Sequence, residues 1–369
     1  MARLTQALLA VAALGAAALD GAAQDRQDAW RPRTTPLLGV GYAPDVGLLL
    51  GAGVVHTRYG FRALPPSTRL RAEAAYATAA RTYHAEIEGE FRRPLAPSVL
   101  NVEWHASGLE MLRFYGFGNE SQASQPDTVY RVRQRQVLLA PSVTVPLAPR
   151  FRLTLGPLVK YAHTRPDTAT VLGRTGPYYG AGNFGQIGTR AVIERDTRDV
   201  PAAAGQGWYG RLASEWYPGL WDVGEAYGRV SAEASSYWSV SDPPAATVAL
   251  RAGGAHVSGT VPFHEVVYIG GETTVRGYPE QRFAGTSGAY ANAELRLLVA
   301  QPSIGDLGIF GLADAGRVWI AGESSDRWHA AAGGGVWFAW QHRRSNTVTI
   351  AVARSPERTA VYVRAGFMF

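Results

Sequence analysis

The segment RTYHAEIEGEF, residues 81–91, alternates between apolar and polar side chains with a period of two. On one face of an extended chain lie Tyr83, Ala85, Ile87, Gly89 and Phe91, and on the other His84, Glu86, Glu88 and Glu90. This period is typical of a β-strand with one apolar face. The pattern recurs at residues 100–107, 208–216 and 361–369, and in the last stretch the apolar face carries Val361, Val363, Ala365, Phe367 and Phe369. The predicted fold class is all-β.

About sixteen such segments of roughly ten residues follow one another through the chain. Short connections at residues 93–97, 146–149, 242–244 and 343–345 alternate with long ones at residues 109–127, 165–183 and 256–287. A single strand does not distinguish a soluble sandwich from a membrane barrel. An even number of strands with alternating short and long connections is typical of outer-membrane barrels. We therefore expect a transmembrane antiparallel β-barrel with its short connections on the periplasmic side.

The N-terminus of this 369-residue chain has the pattern of a secretory signal. Arg3 precedes an apolar stretch at residues 7–19, and Gly21 to Ala23 are small residues suited to cleavage. The apolar stretch is too short to cross a membrane comfortably as a helix. We expect residues 1–23 to be a signal peptide, residues 24–35 a short periplasmic segment and residues 36–369 the barrel.

The composition argues against several classes of function. The chain contains no cysteine, which excludes disulfides and thiolate metal sites, and its net charge of +6 is spread out, so nucleic acid is not an expected partner. Residues Gly180 to Gly185 match the glycine spacing of a dinucleotide-binding motif, but a strand is predicted to follow where that motif requires a helix. Tyr268 stands where a zinc-protease motif starting at His264 requires a second histidine. We expect no enzymatic activity, no cofactor and no metal site.

A glycine-rich stretch, GGETTVRGY at residues 270–278, lies in the longest predicted connection. Its one arginine, Arg276, is followed by Glu294 and Asp314 in the next two predicted strands. An arginine stays charged in any protein environment and can bind a carboxylate through two parallel hydrogen bonds. These three residues could therefore pin a long loop, although the residues alone are equally consistent with a solvated arginine.

Five motifs, occurring in the expected order, resemble the barrel of the bacterial surface antigen superfamily. This is the BamA-like group of outer-membrane assembly factors and two-partner secretion transporters. The motifs are the loop residues Val275, Arg276, Gly277 and Tyr278, the strand motif Asp314 to Gly316 with Glu294 before it, the stretches Arg195–Asp199 and Arg113–Glu120, and the terminal Phe367 and Phe369.

The resemblance implies that the loop folds into the lumen, where Arg276 pairs with Asp314 and Glu294. It implies that Phe367 and Phe369 form a targeting signal on the last strand. It also implies insertion or translocation of polypeptides at the outer membrane of a Gram-negative cell. Family members with assembly roles carry periplasmic POTRA modules, and we expect none here because the predicted barrel begins at residue 36. The expected partners are therefore outer-membrane lipid, unfolded polypeptide clients and a separate periplasmic protein.

Two other functions stay open on the sequence, a passive or gated pore for small solutes or ions and a structural outer-membrane barrel. The resemblance further implies a weak seam between the first and last strands. Gly39 and Gly41 in the first strand and Gly366 in the last are compatible with such a seam because glycine weakens strands. The same glycines could instead serve only to ease side-chain packing.

Overall fold

The computed structural model describes residues 31–60, 63–93, 96–241 and 244–369. The predicted signal peptide, residues 1–23, lies outside these ranges, as do residues 24–30 of the predicted periplasmic segment. The strands are β1 (Arg33–Ala43), β2 (Gly47–Gly60), β3 (Ala63–Ala77), β4 (Thr82–Arg92), β5 (Val99–Ser107), β6 (Gln134–Ala148), β7 (Phe151–Thr164), β8 (Asn183–Asp196), β9 (Gly207–Tyr217), β10 (Tyr227–Ser239), β11 (Ala246–Gly259), β12 (Val267–Ile269), β13 (Phe283–Gly285), β14 (Ser287–Ala300), β15 (Gly305–Trp319), β16 (His329–Trp340), β17 (Thr347–Arg354) and β18 (Thr359–Ala365). The helical segments are α1 (Val171–Thr175) and the 3-10 helices Asp127–Tyr130, Phe263–Glu265 and Arg344–Asn346.

Sixteen of the strands in the described ranges close into one antiparallel barrel. Neighbours in the barrel follow chain order, except that β14 pairs with β11 because β12 and β13 form a small separate sheet in the connection between them. The predicted barrel of about sixteen strands is confirmed. β1 begins at Arg33, so residues 33–35 of the segment predicted to precede the barrel belong to its first strand.

Burial alternates along the strands with the predicted period. In β4 the side chains of His84 and Glu86 are buried, whereas Tyr83 and Ile87 are exposed. Large apolar side chains are exposed in the same way around the barrel, among them Leu50, Leu139, Leu155, Ile193, Leu212, Leu250, Leu295, Ile309 and Ile350. An outward apolar surface around a polar interior is the arrangement that a lipid bilayer requires. No helix in the described part of the chain has the length and apolar character needed to cross a membrane.

The two ends of the barrel carry different connections. Residues 108–133, 165–182 and 260–286 connect strands at one end, which we call the loop end. The opposite end, which we call the turn end, has the shorter connections at residues 149–150, 197–206, 301–304 and 341–346. Because β18 runs away from the loop end, the C-terminus lies at the turn end. We refer to residues 260–286 as the long loop and to residues 366–369 as the tail.

The tail does not continue the last strand. Alternation placed Phe367 and Phe369 on the outer face with Val361, but Phe367 is 9% and Phe369 8% exposed, against 40% for Val361. The cause is Gly366, whose φ of 67° turns the backbone inward. The Phe367 amide then donates to the Ala202 carbonyl in the connection between β8 and β9 (2.9 Å). The prediction that the two phenylalanines extend the outer face is therefore wrong, and their targeting role stays a prediction.

The closure between β1 and β18 is short. Within the described residues these strands share one registered pair, Tyr42 with Val363. The next shortest ladder of the barrel, between β17 and β18, is registered at seven positions. The barrel is therefore closed by much less strand pairing at this seam than at its other strand boundaries.

Candidate functional site

The long loop packs against the inner face of the barrel wall. Val275, Tyr278 and Phe283 from the loop are almost completely buried in one apolar cluster with Ile269, Val318 and Ala331. Val318 belongs to β15 and Ala331 to β16, and both side chains are on the buried face of their strands. Removing this apolar surface from water stabilises the inward position of the loop.

Arg276 is bound to two carboxylates of the barrel wall. Its Nε donates to Oδ2 of Asp314 (2.7 Å) and its Nη2 to Oδ1 (2.8 Å), which makes the pair bidentate. Its Nη1 donates to Oε1 of Glu294 (2.6 Å), and its backbone N–H donates to Oδ2 of Asp314 (3.0 Å). All three residues are no more than 4% exposed. The structure thus brings together the arginine and the two carboxylates that the sequence singled out.

A second arginine completes this cluster. Arg296 of β14 donates from Nε (2.9 Å) and Nη2 (2.7 Å) to Oε2 of Glu294, so Glu294 is shared between Arg276 and Arg296. Asn292 donates from Nδ2 to Oδ1 of Asp314 (2.8 Å). Two arginines face two carboxylates, so the buried charges compensate one another, which burial requires. The sequence contained a signal for Arg296, which lies two residues after Glu294 on the same strand face.

Two glycines allow the loop to approach the wall. Gly277 has a φ of 88°, which favours glycine, and its N–H donates to the Tyr362 hydroxyl of β18 (2.9 Å). At Gly316 of β15 a Cβ would lie 2.8 Å from side-chain carbons of both Ile269 and Val275. A larger residue at Gly316 would displace the loop. These contacts give both predicted motif glycines a physical role.

The long loop is also anchored near its start. The Glu265 carboxylate lies 3.3 Å from Nζ of Lys160 on β7 and accepts from Nε2 of Gln186 on β8 (2.8 Å). Arg229 of β10 donates to the Glu265 backbone carbonyl (2.9 Å). The loop is therefore held at two places on the wall, to β7, β8 and β10 at Glu265 and to β14 and β15 at Arg276.

An ionic hub that sequence reasoning missed joins the loop to the seam. Asp45, in the hairpin between β1 and β2, accepts from Nη2 of Arg113 (2.7 Å) and from Nη2 of Arg358 (2.8 Å) in the hairpin between β17 and β18. It also accepts from the backbone N–H of Glu280 in the long loop (2.9 Å). Arg358 donates in addition to the Tyr278 carbonyl (3.0 Å). Asp45 and Arg358 are 313 residues apart, so no local pattern could have revealed their pairing.

Two more carboxylates of the long loop, Glu272 and Glu280, are buried beside this hub. The Glu272 N–H donates to Oε1 of Glu280 (2.8 Å), and Oε1 of Glu272 lies 3.4 Å from Nη1 of Arg364. Burial, together with the Asp45 carboxylate, raises the pKa of Glu280 to about 8. Burial also raises the pKa of Glu272. Glu280 is therefore mostly protonated at neutral pH.

The two remaining sequence motifs brace the ends of the barrel. In Arg113–Glu120 at the loop end, Arg113 binds Asp45, and the Asn119 N–H donates to Oε2 of Glu323 in the connection between β15 and β16 (2.6 Å). In Arg195–Asp199 at the turn end, Asp199 pairs with Arg344 (2.7 Å). The first motif ties the connection after β5 to those after β1 and β15, and the second ties the connection after β8 to the one after β16.

A cavity of about 680 Å³ lies in the lumen between the long loop and the tail. Its charged lining has both signs and includes Glu103, Arg190, Arg211, Glu233 and Arg251. Across the described ranges, no group of three or more His, Cys, Asp or Glu side chains is arranged to hold a metal ion. Charged side chains of both signs therefore surround the cavity between the long loop and the tail.

Comparison with known proteins relates this barrel to one family. The Omp85 superfamily domain matches residues 68–342. BamA from Haemophilus ducreyi lacking POTRA domains 1–3 is similar, with a TM-score of 0.64 and 13% identity over 91% of this chain and 71% of that one. CdiB from Escherichia coli has a TM-score of 0.55 and 13% identity, over 90% of this chain and 62% of that one. CdiB from Acinetobacter baumannii has a TM-score of 0.52 and 11% identity, over 90% of this chain and 59% of that one. The chain therefore spans less than two thirds of either CdiB chain. No curated relative matches the sequence.

Proposed function

The chain belongs to the Omp85 superfamily, and on that premise we propose that this outer-membrane barrel inserts or translocates polypeptides, with a separate periplasmic partner and without nucleotide energy. The observation that carries the proposal is the short seam, where Tyr42 and Val363 are the registered pair of β1 and β18. A barrel that only had to stay closed would gain stability from a longer ladder at this boundary.

A weakly paired strand edge in a bilayer favours the addition of another strand. Backbone N–H and C=O groups have no water to bind in the hydrocarbon layer, so each unmatched group costs free energy. A client segment that paired with the edge of β1 at residues 34–41 would satisfy such groups through main-chain hydrogen bonds. This mode of binding depends on the backbone and tolerates many client sequences.

The long loop supports the same function because it spans from the rigid wall to the seam. Arg276 is fixed to β14 and β15, whereas Gly277 donates to Tyr362 of β18 and the Ser355 hydroxyl donates to the Gly277 carbonyl (2.9 Å). Two consecutive residues thus bind different parts of the barrel, Arg276 the wall at β14 and β15 and Gly277 the seam strand β18. This arrangement would keep the last strand in place while its partner edge changes.

A disulfide across the seam tests the proposal. The chain has no cysteine, so a cross-link between cysteines at Tyr42 and Val363 would be unambiguous. We expect the oxidised barrel to lose client assembly, seen as depletion of particular proteins from the outer-membrane proteome, and to regain it on reduction. The matched control is a pair at Leu212 and Ala232, which are registered between β9 and β10. Full activity of the oxidised seam variant would refute the proposal.

A passive or gated pore for small solutes or ions is the second candidate, because a charged cavity lies in the lumen. A pore predicts steady conductance in planar bilayers and an unchanged outer-membrane proteome when the gene is deleted. Polypeptide insertion or translocation predicts the selective loss of client proteins. A purely structural barrel predicts neither result.

A further inference from the structure

Four arginines lie together at the loop end of β6 and β7. Arg131, Arg133 and Arg135, at the start of β6, are exposed, whereas the two residues between them are buried. Arg165, directly after β7, is exposed as well, and its backbone N–H donates to the Arg133 carbonyl (2.9 Å). This bond continues the ladder between the two strands, so Arg133 and Arg165 lie opposite each other. We call these four residues the arginine patch.

The arginine patch belongs to the outer face of the barrel. Along β6 the exposed set continues from Arg135 to Val137 and Leu139, two residues of the apolar outer surface. Val137 is registered with Tyr161 of β7, whose ring stacks on Trp221 at 5.9 Å between ring centres. Toward the loop end the outer face of these two strands therefore changes from aliphatic to aromatic to cationic. This is the order expected between the hydrocarbon layer of a membrane and its headgroups.

The arginine patch has no counter-charge in the part of the chain that the structure describes. None of its four side chains donates a hydrogen bond or forms an ion pair there. By contrast, Arg174 in the connection after β7 donates from Nε to the Thr168 carbonyl (3.1 Å). Arg133 and Arg165 lie opposite each other on neighbouring strands, where two like charges destabilise a sheet. An anion bound between them would remove this cost.

We propose that the arginine patch binds the phosphates of an anionic lipid in the membrane leaflet at the loop end. Arginine matches phosphate oxygens with two parallel hydrogen bonds, so the opposed Arg133 and Arg165 suit a phosphorylated headgroup. The acyl chains then lie along Val137 and Leu139. A lipid fits better than a soluble polyanion because the arginines and these apolar side chains form one continuous face. In the barrel β2 to β5 separate this site from β1, so the proposal is independent of the seam.

Native mass spectrometry of the full-length barrel in detergent micelles tests the site. The probe is diphosphoryl lipid A, a glycolipid with two phosphates, and the comparison lipid is phosphatidylcholine, which has no net charge. We expect the barrel to retain diphosphoryl lipid A and the double variant Arg133→Gln/Arg165→Gln to bind it about ten-fold more weakly. Binding of phosphatidylcholine should be equal in the two proteins.

A second double variant separates the site from the overall charge of the barrel. Arg152→Gln/Arg343→Gln removes two exposed arginines at the turn end, and thus the same net charge, and should bind diphosphoryl lipid A like the unmodified barrel.

Thermal unfolding shows whether the variants stay folded. Without lipid, Arg133→Gln/Arg165→Gln should not lower the unfolding midpoint, because it removes a repulsive pair. Diphosphoryl lipid A should raise the midpoint of the unmodified barrel more than that of this variant, because a ligand stabilises the state that binds it.

Three outcomes would overturn the proposal. They are equal retention of diphosphoryl lipid A with and without the two patch arginines, an equal loss in the turn-end variant, and binding of inorganic pyrophosphate in place of the lipid, which would indicate a site for soluble anions. All three are independent of client assembly, so they do not decide the proposed function.

Discussion

At the residue scale, Arg276 anchors the long loop through four hydrogen bonds to Asp314 and Glu294. Replacing Arg276 by alanine leaves the Asp314 carboxylate buried without its cation, and replacing Asp314 leaves Arg276 with Glu294 as its remaining carboxylate partner. Breaking a buried pair of this kind costs about 3–5 kcal/mol, and Asp314→Ala should lie at the lower end of that range. We expect each single variant to lower the thermal unfolding midpoint of the folded barrel strongly. The double variant should lose less than the sum of the two, with a coupling of about 0.5–3 kcal/mol.

An exposed ion pair provides the control for this cycle. The side chain of Arg152 is 53% exposed in its pair with Glu194. Such pairs contribute about 0–1 kcal/mol, so Arg152→Ala should shift the midpoint little. Strictly additive losses for Arg276 and Asp314 would show that the bidentate contact does not contribute to stability.

Glu280 should make the stability of the barrel depend on pH. In the folded protein the pKa of Glu280 is raised from its ordinary 4.5 to about 8, because the side chain is buried and faces the carboxylates of Asp45 and Glu272. The nearby Arg358 acts in the opposite direction, to lower this pKa. The unfolded chain therefore releases this proton more readily, and stability should fall as pH rises from about 4.5 to about 8. Glu280→Gln should remove that part of the decline. Unfolding midpoints of both proteins between pH 5 and 9 measure the effect, and parallel profiles would contradict it.

At the element scale, the hairpins on either side of the seam are joined by Asp45 and Arg358 more than by strand pairing. Asp45→Asn weakens the contacts with Arg358 and Arg113 together. We expect amide hydrogen exchange in β1 at residues 36–43 to become about ten-fold faster, because a buried charge pair is lost next to a one-pair ladder. Asp199→Asn, which breaks the pair with Arg344 at the turn end, should leave β1 unchanged. Equal acceleration in both variants would mean that the seam does not depend on Asp45.

The sequence predicted elements well where a repeating pattern covers a whole strand. Alternation in β4 gave the correct inward and outward faces because every second residue faces lipid or lumen over eleven positions. It failed at the tail, since the single dihedral of Gly366 decides the direction there and alternation carries no signal for it. The loop anchor, Arg276 with Glu294 and Asp314, could be anticipated from the family resemblance. The Asp45 hub could not, because ion pairs between distant hairpins leave no local pattern.

At the scale of the whole molecule, each strand of the barrel has an apolar outer face suited to lipid and a polar inner face toward the lumen. The same period of two places Ile87 outside and Glu86 inside. The long loop and the tail then fill much of the lumen, and the cavity of about 680 Å³ is left between them. Long ladders and buried ion pairs hold the wall and its pinned loop, whereas the boundary between β1 and β18 has one registered pair. The proposed function therefore depends on this boundary.

Arginine substitutions at mid-strand positions should distinguish the two faces. Ile87 is central in β4 and exposed on the outer face, so Ile87→Arg should destabilise the barrel in lipid vesicles by about 2–4 kcal/mol. Ser231 of β10 lines the charged cavity, so Ser231→Arg introduces the same charge into a polar lumen and should cost much less. Urea titration of both variants in vesicles measures the difference. Equal costs would mean that the exposed apolar side chains of the barrel do not face the hydrocarbon layer.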